Sequence, residues 1–170
     1  MQEYSIPKQR FTAEVVLEGG APMTMTFFHS RNAPAHTGHE RPSDVLNGRS
    51  IFLPAHDAGG RLVLVNVDAI RMASVSVDEE WANPLADPPN GEDYTRDLTA
   101  TIAKVEVALD DGSRLTGIVR YELPESGRRL QDYLNAGDRF MALIDGETIR
   151  FINRRCVNSI AALDEMKGGR

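Results

Sequence analysis

The chain nearly repeats itself. Arg41-Pro42-Ser43-Asp44-Val45-Leu46-Asn47, followed by an apolar run from Phe52 and then Leu64-Val65-Asn66, returns as Arg129-Leu130-Gln131-Asp132-Tyr133-Leu134-Asn135, then Phe140, then Phe151-Ile152-Asn153. The offset is 88 residues in the first block and 87 in the second; upstream, Glu14-Val15-Val16-Leu17 with Gly20 echoes Glu106-Val107-Ala108-Leu109 with Gly112 at an offset of 92. Self-similarity at domain scale fixes how many times one fold must form, so it constrains these 170 residues more than their number does. The reading is two units, 8–80 and 97–166, joined by a linker at 81–96 that holds Pro84, Pro88, Pro89, Asn90 and Gly91. Units of roughly 70 residues bury only a modest core, which favours docking of one copy on the other. Trp81, the sole tryptophan, is expected to pin the linker to a domain face.

Within each copy the apolar residues alternate. Val105, Val107 and Leu109 interleave with Lys104, Glu106 and Ala108, then Asp110-Asp111-Gly112-Ser113 supplies a turn and Leu115, Gly117 and Val119 resume the period of two, which predicts a β-hairpin. Ala13, Val15 and Leu17, the turn Glu18-Gly19-Gly20-Ala21, and Met23, Met25 and Phe27 predict its counterpart. A short helical turn follows in each: Leu130, Tyr133 and Leu134 with Gly137 to end it, and Pro42, Val45 and Leu46 with Gly48. A second hairpin comes next, turning at Asp145-Gly146 in one copy and at Asp57-Ala58-Gly59-Gly60 in the other. After Asn153 and Asn66 a tight bend leads to a last short strand, 157–162 or 70–75.

Strand, acidic-Gly turn, strand, connection, strand, strand, tight bend, short strand is the order of a small five-stranded barrel. Val107-Ala108-Leu109-Asp110-Asp111-Gly112-Ser113-Arg114-Leu115-Thr116-Gly117 is similar to the first motif of the Sm-like family, and Ile149-Arg150-Phe151-Ile152-Asn153-Arg154-Arg155-Cys156-Val157 to its second. The resemblance implies a mainly β fold: two tandem small five-stranded Sm-like or SH3-like barrels, each with one short helical turn. A fused pair also resembles bacterial proteins of unknown role. In the family the bend after the fourth strand lines a nucleotide pocket, which here falls at Asn153 and Asn66. Asn153-Arg154 stands where the family carries Arg-Gly.

The candidate chemistry is sparse. Arg150, Arg154 and Arg155, with Arg128 and Arg129, are the main cationic concentration, and bend arginines projecting together could grip a phosphate or carboxylate. Single-stranded RNA or another anionic ligand at Asn153, Arg154, Arg155 and Arg150 is therefore one expectation. A net charge of −6 opposes nonspecific attraction to polyanions and disfavours RNA. His36-x-x-His39 has a spacing seen among metal ligands, yet a zinc site needs three or four ligands and no matching stretch exists in the second copy. Asp44 with Asn47, and Asp132 with Asn135, are expected to cap and bond the helical turns, and Asn66 and Asn153 to shape their bends.

Cys156 is the lone cysteine, which excludes an internal disulfide and a thiolate cage and fits a reducing cytoplasm; it matches Ala69 of the first copy and is expected to fill a small core slot. No basic-then-apolar start and no run near the ~18 apolar residues of a membrane span occur. Gly-rich phosphate loops, Gly-x-Ser-x-Gly, His-Glu-x-x-His and Cys-x-x-Cys are all missing. The expectation is a noncatalytic interaction or scaffold protein of the bacterial cytoplasm that needs no cofactor. Its strand edges would be covered by copy on copy, by chain on chain, or by a protein partner.

Overall fold

The computed structural model describes residues 9–29, 40–81, 101–121 and 129–166. Most of the linker at 81–96, the loop bearing His36 and His39, the side chain of Trp81, and Arg128 lie outside the described residues. In the first half the alternating segments form β1 (Gln9–Leu17), β2 (Met23–His29), β3 (Phe52–His56), β4 (Leu62–Asn66) and β5 (Ile70–Ser76). Two helical turns accompany them, α1 (Pro42–Leu46) and α2 (Val77–Trp81), the second of which the periodicity does not predict. The second half forms β6 (Thr101–Leu109), β7 (Arg114–Tyr121), α3 (Leu130–Ala136), β8 (Phe140–Asp145), β9 (Thr148–Asn153) and β10 (Val157–Met166). A 3-10 turn precedes the last strand of each half, at Val67–Ala69 and Arg154–Cys156.

Each strand buries the face that its period of two prescribes. Phe11, Ala13 and Val15 of β1, and Ala103, Val105, Val107 and Leu109 of β6, all turn inward. The β6–β7 and β8–β9 hairpins turn through Gly112 and Gly146 at φ 86° and 59°, a left-handed conformation that side chains resist. Gly137 does not end α3 in that way. Its φ is −86°, and its missing side chain instead leaves room for the Arg154 guanidinium, which a Cβ there would strike.

All ten strands pair antiparallel in one sheet, in the order β10-β6-β7-β8-β9-β5-β1-β2-β3-β4. Read outward, each half has the same order: last strand, first, second, third, fourth. The halves meet where β9 pairs with β5, with Met72 opposite Ile152, Ala73 opposite Phe151 and Val75 opposite Ile149. Two separately closed barrels were the expectation; the sheet is instead open, with β10 and β4 at its two ends and no further strand beside either among the described residues. Backbone N–H and C=O groups along a strand edge need partners, and β9 finds them on β5 of the other half.

The core follows the same pattern. One buried cluster holds Phe11, Phe27, Leu46, Ala55, Val67, Ile70 and Ala73, and the other Val105, Val107, Val119, Tyr121, Met141, Leu143 and Ile152. Phe140, Ile149 and Phe151 belong to the first cluster although they lie on β8 and β9. The halves therefore do not own separate interiors, because three large side chains of the second complete the core of the first.

Candidate interaction surface

The seam between the halves is built from few residue types. Ile149 and Phe151 on β9, with Phe140 beside them on β8, pack among Val45 and Leu46 of α1 and Ala73 and Val75 of β5. Phe140, Ile149 and Phe151 are 3%, 1% and 1% exposed. Asn47, just past α1, accepts a hydrogen bond from the Phe140 backbone N–H at 2.9 Å. The side-chain amide of Asn153, itself buried, donates to the Ile70 carbonyl at 2.9 Å. Arg139 pairs with Asp68 at 3.2 Å, and Arg71 bonds Asp110, holding that carboxyl below the usual carboxylate range.

These contacts reassign several residues singled out by the sequence. Asp44 caps α1 as expected, accepting from the Arg41 backbone N–H at 2.8 Å. Asn47 ends α1 through its backbone N–H, which donates to the Ser43 carbonyl at 3.0 Å, while its side chain clasps the other half. Asn66 and Asn153 shape their bends without left-handed backbone: each side-chain oxygen accepts from the N–H two residues on, Asp68 at 3.0 Å and Arg155 at 3.1 Å. Cys156 is buried, and that burial pushes its thiol above the ordinary range.

The four proposed ligand residues are not gathered into an open cationic site. Arg150 pairs with Asp145 at 2.5 Å, and Asn153 is sealed in the seam. Arg154 folds back onto α3, donating to the Leu134 carbonyl and lying 5.4 Å from the Tyr133 ring centre. Only the Arg155 side chain extends outward. Among the described residues no group of three or more His, Cys, Asp or Glu is arranged to hold a metal ion, and no helix is long and apolar enough to cross a membrane.

What stands out lies at the two ends of the sheet. On the β4 edge Ile51, Phe52, Leu62 and Leu64 are 60%, 56%, 61% and 68% exposed. Edge strands in folded proteins are ordinarily guarded by charge or proline, whereas β4 reads Leu62-Val63-Leu64-Val65 before Asn66. Four apolar residues in a row are the pattern of a strand covered on both faces. That run was visible in the sequence, but only the strand order reveals that it ends up at an edge. At the opposite end an open groove of about 540 Å³ runs between α3 and β10, lined by Leu130, Leu134, Ile160 and Ala162 with the polar Arg129, Gln131 and Asn135. Leu163 on β10 is 54% exposed.

Fold and surface define a class: a mainly β protein whose open antiparallel sheet has one apolar edge and one grooved edge. No family model matches the chain, and no curated protein or solved structure matches it.

Proposed function

We propose that the protein is a noncatalytic interaction or scaffold protein that takes a protein partner along its sheet edges. The observation that carries this reading is the β4 edge, where Phe52, Leu62 and Leu64 lie in water beside unpaired backbone groups. An added strand would satisfy those groups while its side chains cover the leucines, the mode of recognition known as β-augmentation. Contiguous exposed apolar surface is costly in water and marks interaction sites.

The same reading takes the two halves as copies of one small Sm-like or SH3-like unit. Equal strand order, the paired Asn-capped 3-10 turns and the matching Glu18 N–H to Ala69 and Asp110 N–H to Cys156 hydrogen bonds, both 2.9 Å, support it. A reducing cytoplasm suits the buried thiol of Cys156. Binding of single-stranded RNA through Arg154 and Arg155 has less support, since Arg154 is engaged internally and the chain carries −6.

The test is a pull-down with the tagged chain, identifying protein and nucleic acid retained, beside the same experiment with Leu64→Lys. Protein retained by the wild type and lost with the variant is the expected result. Retention of RNA alone, released by salt and by Arg154→Ala with Arg155→Ala, would replace the protein-partner reading.

A further inference from the structure

The seam inside the chain is a template for contacts outside it. Aligning the halves by their shared bonds, Phe52 corresponds to Phe140, Leu62 to Ile149 and Leu64 to Phe151. The second-half residues are 3%, 1% and 1% exposed because they insert between α1 and β5; their first-half counterparts are 56%, 61% and 68% exposed because none of the described strands or helices covers β4 as α1 and β5 cover β9. Similarly Leu46 corresponds to Leu134, Ala73 to Ile160 and Val75 to Ala162. Around Leu46, Ala73 and Val75 the space is filled by Phe140, Ile149 and Phe151. Around Leu134, Ile160 and Ala162 it is the open groove of about 540 Å³.

We infer that the β4 edge of one chain docks on the β10 edge of a second copy, inserting Phe52, Leu62 and Leu64 into the groove between α3 and β10. This rests on the interaction reading above and names the partner. A second copy is the occupant because this chain already carries both surfaces, and their counterparts pack against each other at the β9–β5 seam. They lie at opposite ends of its own sheet and do not pair with each other. Copying the seam register sets Ile160 opposite Leu64 and Ala162 opposite Leu62. Two polar bonds transfer with it: Asn135 would accept from the Phe52 N–H as Asn47 does from Phe140, and Asn66 would donate to the Val157 carbonyl as Asn153 does to Ile70.

The ion pairs do not transfer. Where the seam has Arg71 with Asp110 and Arg139 with Asp68, the outer contact would set Asn158 beside Glu18 and Ile51 beside Arg155. The contact between chains is thus the more apolar of the two and the less sensitive to salt. Because its two sides differ, it is heterologous, and repetition yields a ring if the rotation closes and a filament if it does not.

Sedimentation and light scattering on the full chain test this, with two single variants at exposed positions. Wild type is expected to form species larger than one 18.8 kDa chain, and to hold them in high salt. Leu64→Lys, which blocks the β4 side, and Ala162→Arg, which blocks the groove, should each run as a single chain with an unchanged far-UV spectrum. Mixed together they should form a pair of one chain each, since each retains the surface the other lacks; Leu62→Lys, mixed in place of Leu64→Lys, guards against a misfolded variant. A single-chain wild type at every concentration overturns the inference, as does assembly untouched by Leu64→Lys or a mixture that fails to pair. A single-chain wild type that still retains another protein through β4 would leave the interaction reading standing, whereas loss of both would remove both.

Discussion

Asn66 and Asn153 show how one residue type takes on different weight by position. Both cap a 3-10 turn through the side-chain oxygen, but Asn153 also donates to the Ile70 carbonyl from a buried site. Asn153→Ala removes the cap and leaves a buried carbonyl unsatisfied, so it should cost about 2–4 kcal/mol; Asn66→Ala in dilute solution should cost about 1 kcal/mol. Urea titration of the two variants checks the asymmetry, and equal losses would contradict the assignment of Asn153 to the seam. Glu80 makes a second residue-scale case. Its buried carboxylate accepts from the Ser43 backbone N–H at 3.0 Å and from the Ser43 hydroxyl, tying α2 to α1. Burial pushes its pKa above the ordinary value of 4.5, outweighing the Ser43 bonds that lower it. A raised folded-state pKa means that stability from this group is complete below 4.5 and is lost as pH rises through the folded value. Glu80→Gln should therefore gain in melting temperature on wild type as pH increases from below 4.5 to neutrality, and a constant difference across thermal scans at those pH values would refute it.

At the scale of elements, the narrowest joint in the second half is β7 against β8, where the ladder pairs Ile118 with Ile144 alone. Gly117 makes that approach possible. A Cβ at this position would stand 2.6 Å from the Ile144 carbonyl oxygen and 2.8 Å from Leu143 Cγ, backbone and core that have little freedom to yield. Gly117→Ala is expected to destabilise the protein by about 1–3 kcal/mol through overpacking. Denaturant unfolding reads this directly, and a variant as stable as wild type would mean that β7 and β8 are not so closely joined. In the first half the equivalent joint, β2 on β3, pairs Thr26 with His56 and Phe27 with Ala55, with Met25 at the position of Gly117. The two joints thus differ in detail while the strand order around them is the same.

For the molecule as a whole, the decisive feature is that the second half finishes the first half's core. Phe151→Ala would open a cavity in that core and should cost about 3–5 kcal/mol, although Phe151 lies outside residues 8–80. Because β5 and β9 also share a ladder, both halves are expected to unfold in one transition. Native-state hydrogen exchange checks this: amides of Val15 in the first half and Val107 in the second should exchange with the same opening free energy and fall together in Phe151→Ala. Separate losses, confined to one half, would show that the seam is only a surface contact.

The alternation of Val105, Val107 and Leu109, the glycine turns and the Asn-capped bends were legible in the residues alone, because side-chain period and turn chemistry act over a few positions of chain. So was the recurrence of Phe52, Leu62 and Leu64 at Phe140, Ile149 and Phe151, which is a matter of residue order. Where those matching residues end up was not legible. Strand ladders join residues far apart in sequence, and the choice of β5 as the neighbour of β9 depends on which edge remains unsatisfied after each half has formed. That choice sealed Asn153 and drew the Asn47 side chain across to the other half, while Arg154 folds onto α3 within its own half. It buried one apolar triad and left its twin in water, a difference that tertiary structure decides, because both triads are apolar and hold equivalent positions in a strand–turn–strand unit.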